Sequence, residues 1–340
     1  MRISREKFNT IAYAYSALLT LIFFINQTGP ENNIFAFANL YLPQSYWAAP
    51  ILVLLVAALF IESPRLPSLI HCSLMLIFVA TVLMDFRFAG MVLDKGSNRN
   101  ATPIRFMTYN INGGKNAPEL VRIILDESPS VILFQESSPD FLRDFRTSFP
   151  AWNIIANDDL MIASIYEISD FERVDLPKLS NDEWKRPAYV RAVLTNGRSQ
   201  FAVYNTHLST PREALNSMRN LEPGFFELTK LNIRDREEQS NWLAKAVSKE
   251  KLPFILGGDF NAPEKSIMIS PFIKLGLKSA FSECGFGFGY TKGHDIQLGV
   301  SYVRIDHVLI SDGWLPVYSR AGSSLGSDHR PMLADALLLE

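Results

Sequence analysis

The stretch Phe254-Ile255-Leu256-Gly257-Gly258-Asp259-Phe260-Asn261 decides how most of this 340-residue chain is read. Three apolar residues of a buried strand run into two glycines, where a backbone turns tightly and approaches other groups closely. Asp259 and Asn261 lie two residues apart and share a side if the chain stays extended. A carboxylate beside a neutral amide is a sensible pair for holding and activating a water next to a phosphate. Alone, Gly-Asp-x-Asn is also a common turn, so its meaning depends on what else ends nearby.

Working outward, short apolar runs at 104–109, 131–135, 161–166, 189–194, 201–207, 254–259, 305–310 and 332–338 read as strands, mostly buried on both faces. Helices are expected at 119–127 and about 228–248, the latter with Leu231, Trp242, Leu243 and Val247 on one face. Many strands and few helices predict two packed β-sheets flanked by helices. Polar residues gather where these strands end. Asn110-Ile111-Asn112 closes the first, Gln135-Glu136 the second and Tyr204-Asn205-Thr206-His207 another. Asp306-His307 lies in a strand, and Ser327-Asp328-His329-Arg330-Pro331 precedes the last. Each has a bland reading as a cap, a surface acid, a satisfied histidine or a turn. Five such clusters beside Asp259 are hard to explain separately. His307 alternates with Asp306 along its strand and is read as structural. His294, in a Gly-bounded loop, is read as exposed, and residues 284–290 (CGFGFGY) as a loop beside the cleft. Arg234, Arg236 and Gln239 are read as solvated or packing groups on the long helix.

In order, the blocks TYNING, FQE, YNTHL, GGDFN, RIDHVL and SDHRP resemble the endonuclease/exonuclease/phosphatase superfamily over essentially all of 104–340. That superfamily includes DNase I-like nucleases, abasic-site endonucleases, bacterial sphingomyelinases and inositol polyphosphate 5-phosphatases. The resemblance implies a four-layer α/β sandwich and phosphate-ester hydrolysis with Mg²⁺ or Mn²⁺. It makes Glu136 the principal metal-binding carboxylate, with Asn110 close to the metal and Asp328 a further contributor. It makes His329 the catalytic histidine, Asp306 the carboxylate that orients it, and Asp259 the group that positions or deprotonates the attacking water. Asn261 and His207 take phosphate-binding roles within the catalytic set, and Asn205 joins the phosphate-binding group. The inositol-phosphatase branch carries an additional Trp-Cys-Asp-Arg type block that RIDHVL lacks, which lowers that branch.

The N-terminal third has a different character. Runs at about 8–25, 46–61 and 66–84 contain no Asp, Glu, Lys or Arg, and each is about long enough to cross a bilayer core as a helix. Residues 1–90 are therefore expected to be an all-α membrane anchor with three transmembrane helices, 91–103 a polar linker, and 104–340 the catalytic domain. No small-x-small cleavage site follows Ile25, so the first run is not read as a signal peptide. Arg2, Arg5 and Lys7 precede the first run, the loop 26–45 has no basic residue, and Arg65 lies in the second loop. This places the N-terminus in the cytoplasm and the C-terminal domain outside a multi-pass cell (inner) membrane protein, although Arg87, Lys95 and Arg99 pull the other way. His71, inside the third run, is read as hydrogen-bonded within the bundle.

Residues 1–103 hold 7 of the 33 basic and 5 of the 35 acidic residues, leaving 26 and 30, a net charge of −4, for 104–340. That balance offers no global attraction to nucleic acid. Cys72 and Cys284, the only two cysteines, lie in unlike settings, which excludes a thiolate zinc site. The combined expectation is a membrane-tethered, divalent-metal-dependent phosphoesterase that hydrolyses a diester or monoester by metal-assisted attack of an activated water. Its partners are the membrane and a phosphate ester, whether phospholipid-like, nucleic acid or small; no obligate protein partner is inferred. A nuclease acting on external nucleic acid is the alternative within that class. A catalytically silent binding domain is a second, disfavoured because Asp259 and His329 are both present. A channel-like unit is a third, disfavoured because the apolar runs carry no charge.

Overall fold

The computed structural model describes residues 3–27, 34–62, 64–92, 102–178, 187–197, 199–295 and 299–339. It divides into two compact units, Met1–Phe86 and Arg87–Glu340. Most of the expected linker 91–103, with Lys95 and Arg99, lies outside the described residues, as do Arg2 and residues 28–33 of the first loop.

The first unit is helical: α1 (Arg5–Gln27), α2 (Ile34–Tyr41), α3 (Ala49–Ala58) and α4 (Leu66–Phe78), the last extended by a π-turn over Val79–Leu83. Two helices are long and apolar enough to cross a membrane, Arg5–Gln27 and Leu66–Leu83. The expected helix over 46–61 is shorter. Ile34–Tyr41 and Gln44–Ala58 meet the same test only as a pair, bent by 101°. Pro43 sits at the break, where it offers no N–H to continue a helix. Trp47 Nε1 donates to Asn39 Oδ1 at 3.0 Å across the bend. Phe8, Ala12, Leu19, Ile51, Leu54, Cys72 and Met75 form the inner core, while Ile11, Val53 and Leu74 point outward. His71 Nε2 lies 2.7 Å from Ser16 Oγ and its ring stacks on Tyr13.

The second unit begins earlier than the sequence implies. Arg87 and Gly287 exchange backbone hydrogen bonds of 2.8 and 2.9 Å, and Gly90 N–H donates to Gly285 O at 2.9 Å. Residues 87–90, with the short helix α5 (Ala89–Val92), are thereby tied to this unit. Its strands are β1 (Ile104–Asn110), β2 (Val131–Gln135), β3 (Asn153–Asn157), β4 (Leu160–Ser164), β5 (Glu167–Asp175), β6 (Ala188–Asn196), β7 (Ser199–His207), β8 (Phe254–Asp259), β9 (Lys278–Ser279), β10 (Asp306–Ile310), β11 (Trp314–Ala321) and β12 (Met332–Leu338). Helices α6 (Ala117–Glu127), α7 (Pro139–Ser148), α8 (Arg212–Arg219), α9 (Phe225–Val247), α10 (Ser270–Lys274) and α11 (Ala280–Cys284) complete it.

Two mixed six-stranded sheets result, ordered β11-β12-β1-β2-β4-β3 and β5-β6-β7-β8-β10-β9. Each holds one parallel pair, β1–β2 in the first and β7–β8 in the second, with antiparallel neighbours on either side. Parallel neighbours need a crossover, and α6 supplies one while α8 and α9 supply the other. Phe106, Leu133 and Ile162 of one sheet pack against Val190, Val203, Ile255 and Val308 of the other. The outer face of the first sheet is covered by Leu120, Ile123, Phe141 and Phe145 of α6 and α7. Ser138 starts α7 by accepting the Phe141 N–H, with Pro139 following at the first helical position. The chain is the α/β sandwich that the sequence implies, preceded by a helical segment.

Candidate active site

Strand alternation sends residues two apart to the same face. Along β1 the face toward the second sheet reads Phe106, Thr108, Asn110; along β2, Val131, Leu133, Gln135; along β7, Val203, Asn205, His207; along β8, Ile255, Gly257, Asp259. Each series runs from apolar through small or neutral polar to polar or charged. β10, antiparallel, enters with Asp306 and continues with Val308. Register places His207 opposite Asp259 and Asp259 opposite Asp306, so one row across the second sheet carries three ionisable groups. Gly257 makes the closeness of the sheets tolerable, since a Cβ there would lie 2.6 Å from Leu133 Cδ1.

The middle of each series is a layer of amides. Gln135 Nε2 donates to Asn205 Oδ1 at 2.6 Å and to Thr108 Oγ1 at 3.0 Å. Asn205 Nδ2 donates to Phe134 O at 2.8 Å and Met161 O at 3.1 Å, and the residue is fully buried. Asn205, expected among the phosphate-binding groups, lies in this layer with its amide engaged. Its amide stitches the two sheets together beneath the site and has no face toward a substrate.

Above that layer, Asp259 is the hub. Its Oδ2 accepts from Asn110 Nδ2 at 3.0 Å and lies 3.7 Å from both His207 Nε2 and His329 Nε2. Its Oδ1 accepts the Asn261 N–H at 2.8 Å, which holds the turn after β8. Burial, and then the Asp306 charge, push the Asp259 carboxyl above its ordinary range. His329 Nδ1 donates to Asp306 at 2.9 Å to Oδ2 and 3.2 Å to Oδ1. Burial alone would lower the imidazole, but Asp306 and Asp259 raise it to about 9, so it carries a proton at neutral pH. His207 has its own acidic partner, Asp159 Oδ2, 3.3 Å from Nδ1. Asn261 lies close by, 8% exposed, with Nδ2 donating to Leu208 O at 2.8 Å. His307 faces away, donating to Ala262 O at 2.8 Å; burial and Arg304 depress it to about 4.

Among the described residues, two groups could hold a cation. Asp259, Asp306 and His329 bring ligand atoms within 4.8 Å of one another. All three are buried, and His329 Nδ1 is taken up by Asp306, which leaves Nε2 as its free ring nitrogen. The other group is Glu136, whose Oε1 is 3.2 Å from Asn110 Nδ2 and 3.9 Å from His207 Nε2. Glu136 adopts a left-handed backbone (φ 54°) where β2 ends, and its side chain is 30% exposed. The partly exposed Glu136 carboxylate suits a hard divalent cation that keeps several waters, while buried Asn110 turns Nδ2 toward that carboxylate and its Oδ1 accepts the Asn112 N–H at 3.1 Å. Asp328, expected as a further metal contact, is placed differently: it accepts from Lys292 Nζ. Burial would raise its carboxyl, but Lys292 and His329 hold it below the ordinary range.

Several contributors carry no signal in the sequence. Asp159 lies in a turn and Lys292 in an isolated bridge, and their partners come from segments distant in sequence. His294, expected at the surface, is half-buried, with Nε2 3.0 Å from Ser327 O. Ser327 Oγ in turn donates to Asn110 O at 2.7 Å and accepts the His329 N–H at 3.2 Å. Arg236, expected as solvated or packing, is buried and donates to Ser209 O at 2.9 Å and Asn261 O at 2.6 Å.

The sequence profile of the Endonuclease/Exonuclease/phosphatase family matches residues 107–329, which contain every residue of this cluster. The chain belongs to that family. The family comprises hydrolases of phosphoester bonds that are generally divalent-metal dependent. No curated protein matches the sequence. Among solved structures, the chain is similar to an endonuclease/exonuclease/phosphatase family protein of Bacteroides thetaiotaomicron, with 15% identity, coverage of 71% of this chain and 100% of that one, and a TM-score of 0.57. It is similar to the mannosyl-6-phosphatase of the same organism, with 15% identity, 69% and 100% coverage, and a TM-score of 0.55. It is also similar to D. rerio TDP2 complexed with single-strand DNA product, with 13% identity, 69% and 99% coverage, and a TM-score of 0.53. At these identities the likeness is one of fold.

Proposed function

We propose that this family member is a membrane-tethered, divalent-metal-dependent phosphoesterase that cleaves its ester by attack of an activated water. The observation that carries the reading is Asp259: one buried carboxylate oxygen lies 3.7 Å from two imidazole Nε2 atoms, each backed by an aspartate. Those separations are too long for direct hydrogen bonds, so the two Nε2 atoms and Oδ2 converge on one point where an oxygen can reach them from the cleft side. Asp259, with its raised pKa, positions the water and takes its proton. His329, held charged by Asp306, donates through Nε2 to an oxygen that gains charge as phosphorus is attacked. His207 and Asn261 border the same space as phosphate-binding groups. Glu136 and Asn110 hold the divalent ion, Mg²⁺ or Mn²⁺. When bound, the ion neutralises phosphate charge and assists the leaving oxygen.

The helices Arg5–Gln27 and Leu66–Leu83 support tethering; with the bent pair Ile34–Tyr41 and Gln44–Ala58 as a third span, the basic residues at the start of the first favour an extracytoplasmic catalytic domain. The relatives of like fold include a sugar phosphatase and a protein bound to a DNA product. The net charge of −4 over 104–340 gives no pull toward a polyanion, so a small or lipid-linked phosphate ester fits better than nucleic acid.

The test is hydrolysis by the purified full-length chain in detergent, with Mg²⁺, Mn²⁺ or chelator. The panel spans chromogenic mono- and diesters, phospholipids, sugar phosphates, and single- and double-stranded DNA. Metal-dependent turnover is expected on at least one ester. Asp259→Asn and His329→Ala should each remove all but about a thousandth of it, with melting behaviour retained. Undiminished turnover in either variant would sink the assignment.

A further inference from the structure

Lys292 is held in place from two sides. Its backbone bridges to Val303 on one side and to His329 on the other, so its position is fixed against the site. Its Nζ contacts Asp328 and lies 3.5 Å from Asp295, with only 13% of its side chain exposed. Asp328 Oδ1 also lies 3.3 Å from Ser327 Oγ, the hydroxyl that donates to Asn110 O. A fixed ammonium thus contacts Asp328, the neighbour of His329, and reaches the Asn110 backbone oxygen through Asp328 and Ser327. A lysine ammonium is a compact, strongly hydrated point charge, and the carboxylate it contacts is denied to another cation. Two-ion phosphoesterases place positive charge on both sides of the phosphate with ions about 3.5–4 Å apart.

We propose that Lys292 is the resident cation at Asp328, so that the chain takes up one divalent ion, at Glu136 and Asn110, and supplies the second positive charge itself. The inference rests on the reading of Glu136 given above. It goes beyond that reading by fixing the stoichiometry of the site and by giving Lys292 an electrostatic role there. A purely structural pin between Lys292 and Asp328 would leave metal stoichiometry untouched, so the ion count separates the two roles.

The experiment is a Mn²⁺ titration of the full-length protein in detergent, with free Mn²⁺ followed by its EPR signal. One tight ion per chain is expected for the wild type, and two for Lys292→Met, where Asp328 is released. Lys292→Arg should return one, because the charge is kept. The double variant Lys292→Met/Asp328→Asn should also return one, which assigns the added ion to Asp328. Thermal melting without metal checks each fold, and Lys292→Gln replaces Lys292→Met if the latter fails to fold. Two ions in the wild type, or one in a folded Lys292→Met or Lys292→Gln, overturns the role of Lys292 and leaves the Glu136 site standing. No ion bound by the wild type overturns the Glu136 reading and with it this inference.

Discussion

Asp306→Asn is the sharpest probe of the histidine. The substitution keeps the shape of a residue that is fully buried and removes its charge, at 2.9 and 3.2 Å from His329 Nδ1. With Asp306 present, His329 stands at about 9 against an ordinary histidine value of 6.5. Without it, only the Asp259 charge opposes burial, and the imidazole falls from about 9 toward its ordinary value, each unit of fall worth about 1.4 kcal/mol. At pH 7.5 a fall all the way to the ordinary value cuts the protonated fraction from about 97% to about 9%, a loss of turnover of up to about tenfold from protonation alone. The pH–rate profile should show the wild-type activity falling as pH rises through about 9, and the variant falling at lower pH, toward 6.5. NMR titration of the His329 ring reads the same change without turnover. Stability carries the matching sign: His329 is raised in the folded state, so its contribution is fully present below 6.5 and is lost as pH climbs through about 9. The stability gap between wild type and variant should narrow over that window. An alkaline limb that stays near 9 in Asp306→Asn would refute the argument.

Three further substitutions separate chemistry from scaffolding. Gly258→Ala would put a Cβ 2.0 Å from Thr206 O, a backbone atom of the paired strand, so β7 and β8 must part beside His207 and Asp259. A loss on the order of 3–5 kcal/mol in chemical denaturation is expected, and a wild-type midpoint would contradict it. Asn205→Leu should cost stability, about 2–4 kcal/mol for the cross-sheet hydrogen bonds it removes, while leaving KM unchanged. A raised KM at wild-type stability would restore a phosphate-binding role. Glu136→Gln should weaken Mn²⁺ binding by at least about tenfold, or about 1.4 kcal/mol, in a direct titration, and unchanged affinity would move the ion elsewhere.

What the sequence revealed follows a physical division. The eight strands legible as apolar runs are the interior strands of the two sheets, buried on both faces. The four that carried no such signal, β3, β5, β9 and β11, are the four sheet edges. β5 reads EISDFERVD and carries charge along its exposed length, and β11 contains Pro316, which an interior strand would not tolerate. Edges are built to resist further pairing, and the same features hide them from a search for apolar periodicity. The site divides in the same way. Asn110, Glu136, His207, Asp259 and Asp306 were legible because they end or begin interior strands. Asp159 and Lys292 were not, because only the pairing of β3 with β4 and of the 291–303 segment with His329 brings them to the cluster. Asn205 reads as a strand-end residue in the sequence, while the sheet opposite takes up its amide as a cross-link.

The location of the cluster has a common cause with the fold. Each sheet contains one parallel pair, and its crossover helices must cover the outer face, so the inner faces of β1, β2, β7 and β8 are left to meet each other. Deep between the sheets, polar groups could not be solvated, and the inner positions are Phe106, Leu133, Val203 and Ile255. Two residues on, Thr108, Gln135 and Asn205 satisfy one another across the gap, and Gly257 lets the sheets close over them. Another two residues on, Asn110, His207 and Asp259 emerge where water can reach the rim, as the 30% exposed Glu136 side chain marks. Charge therefore sits on the last turn of each strand because only there can it be held rigidly from below and opened from above. That combination holds Asp259 Oδ2 3.7 Å from the Nε2 atoms of both His207 and His329, longer than a hydrogen bond, with each imidazole backed by its own aspartate.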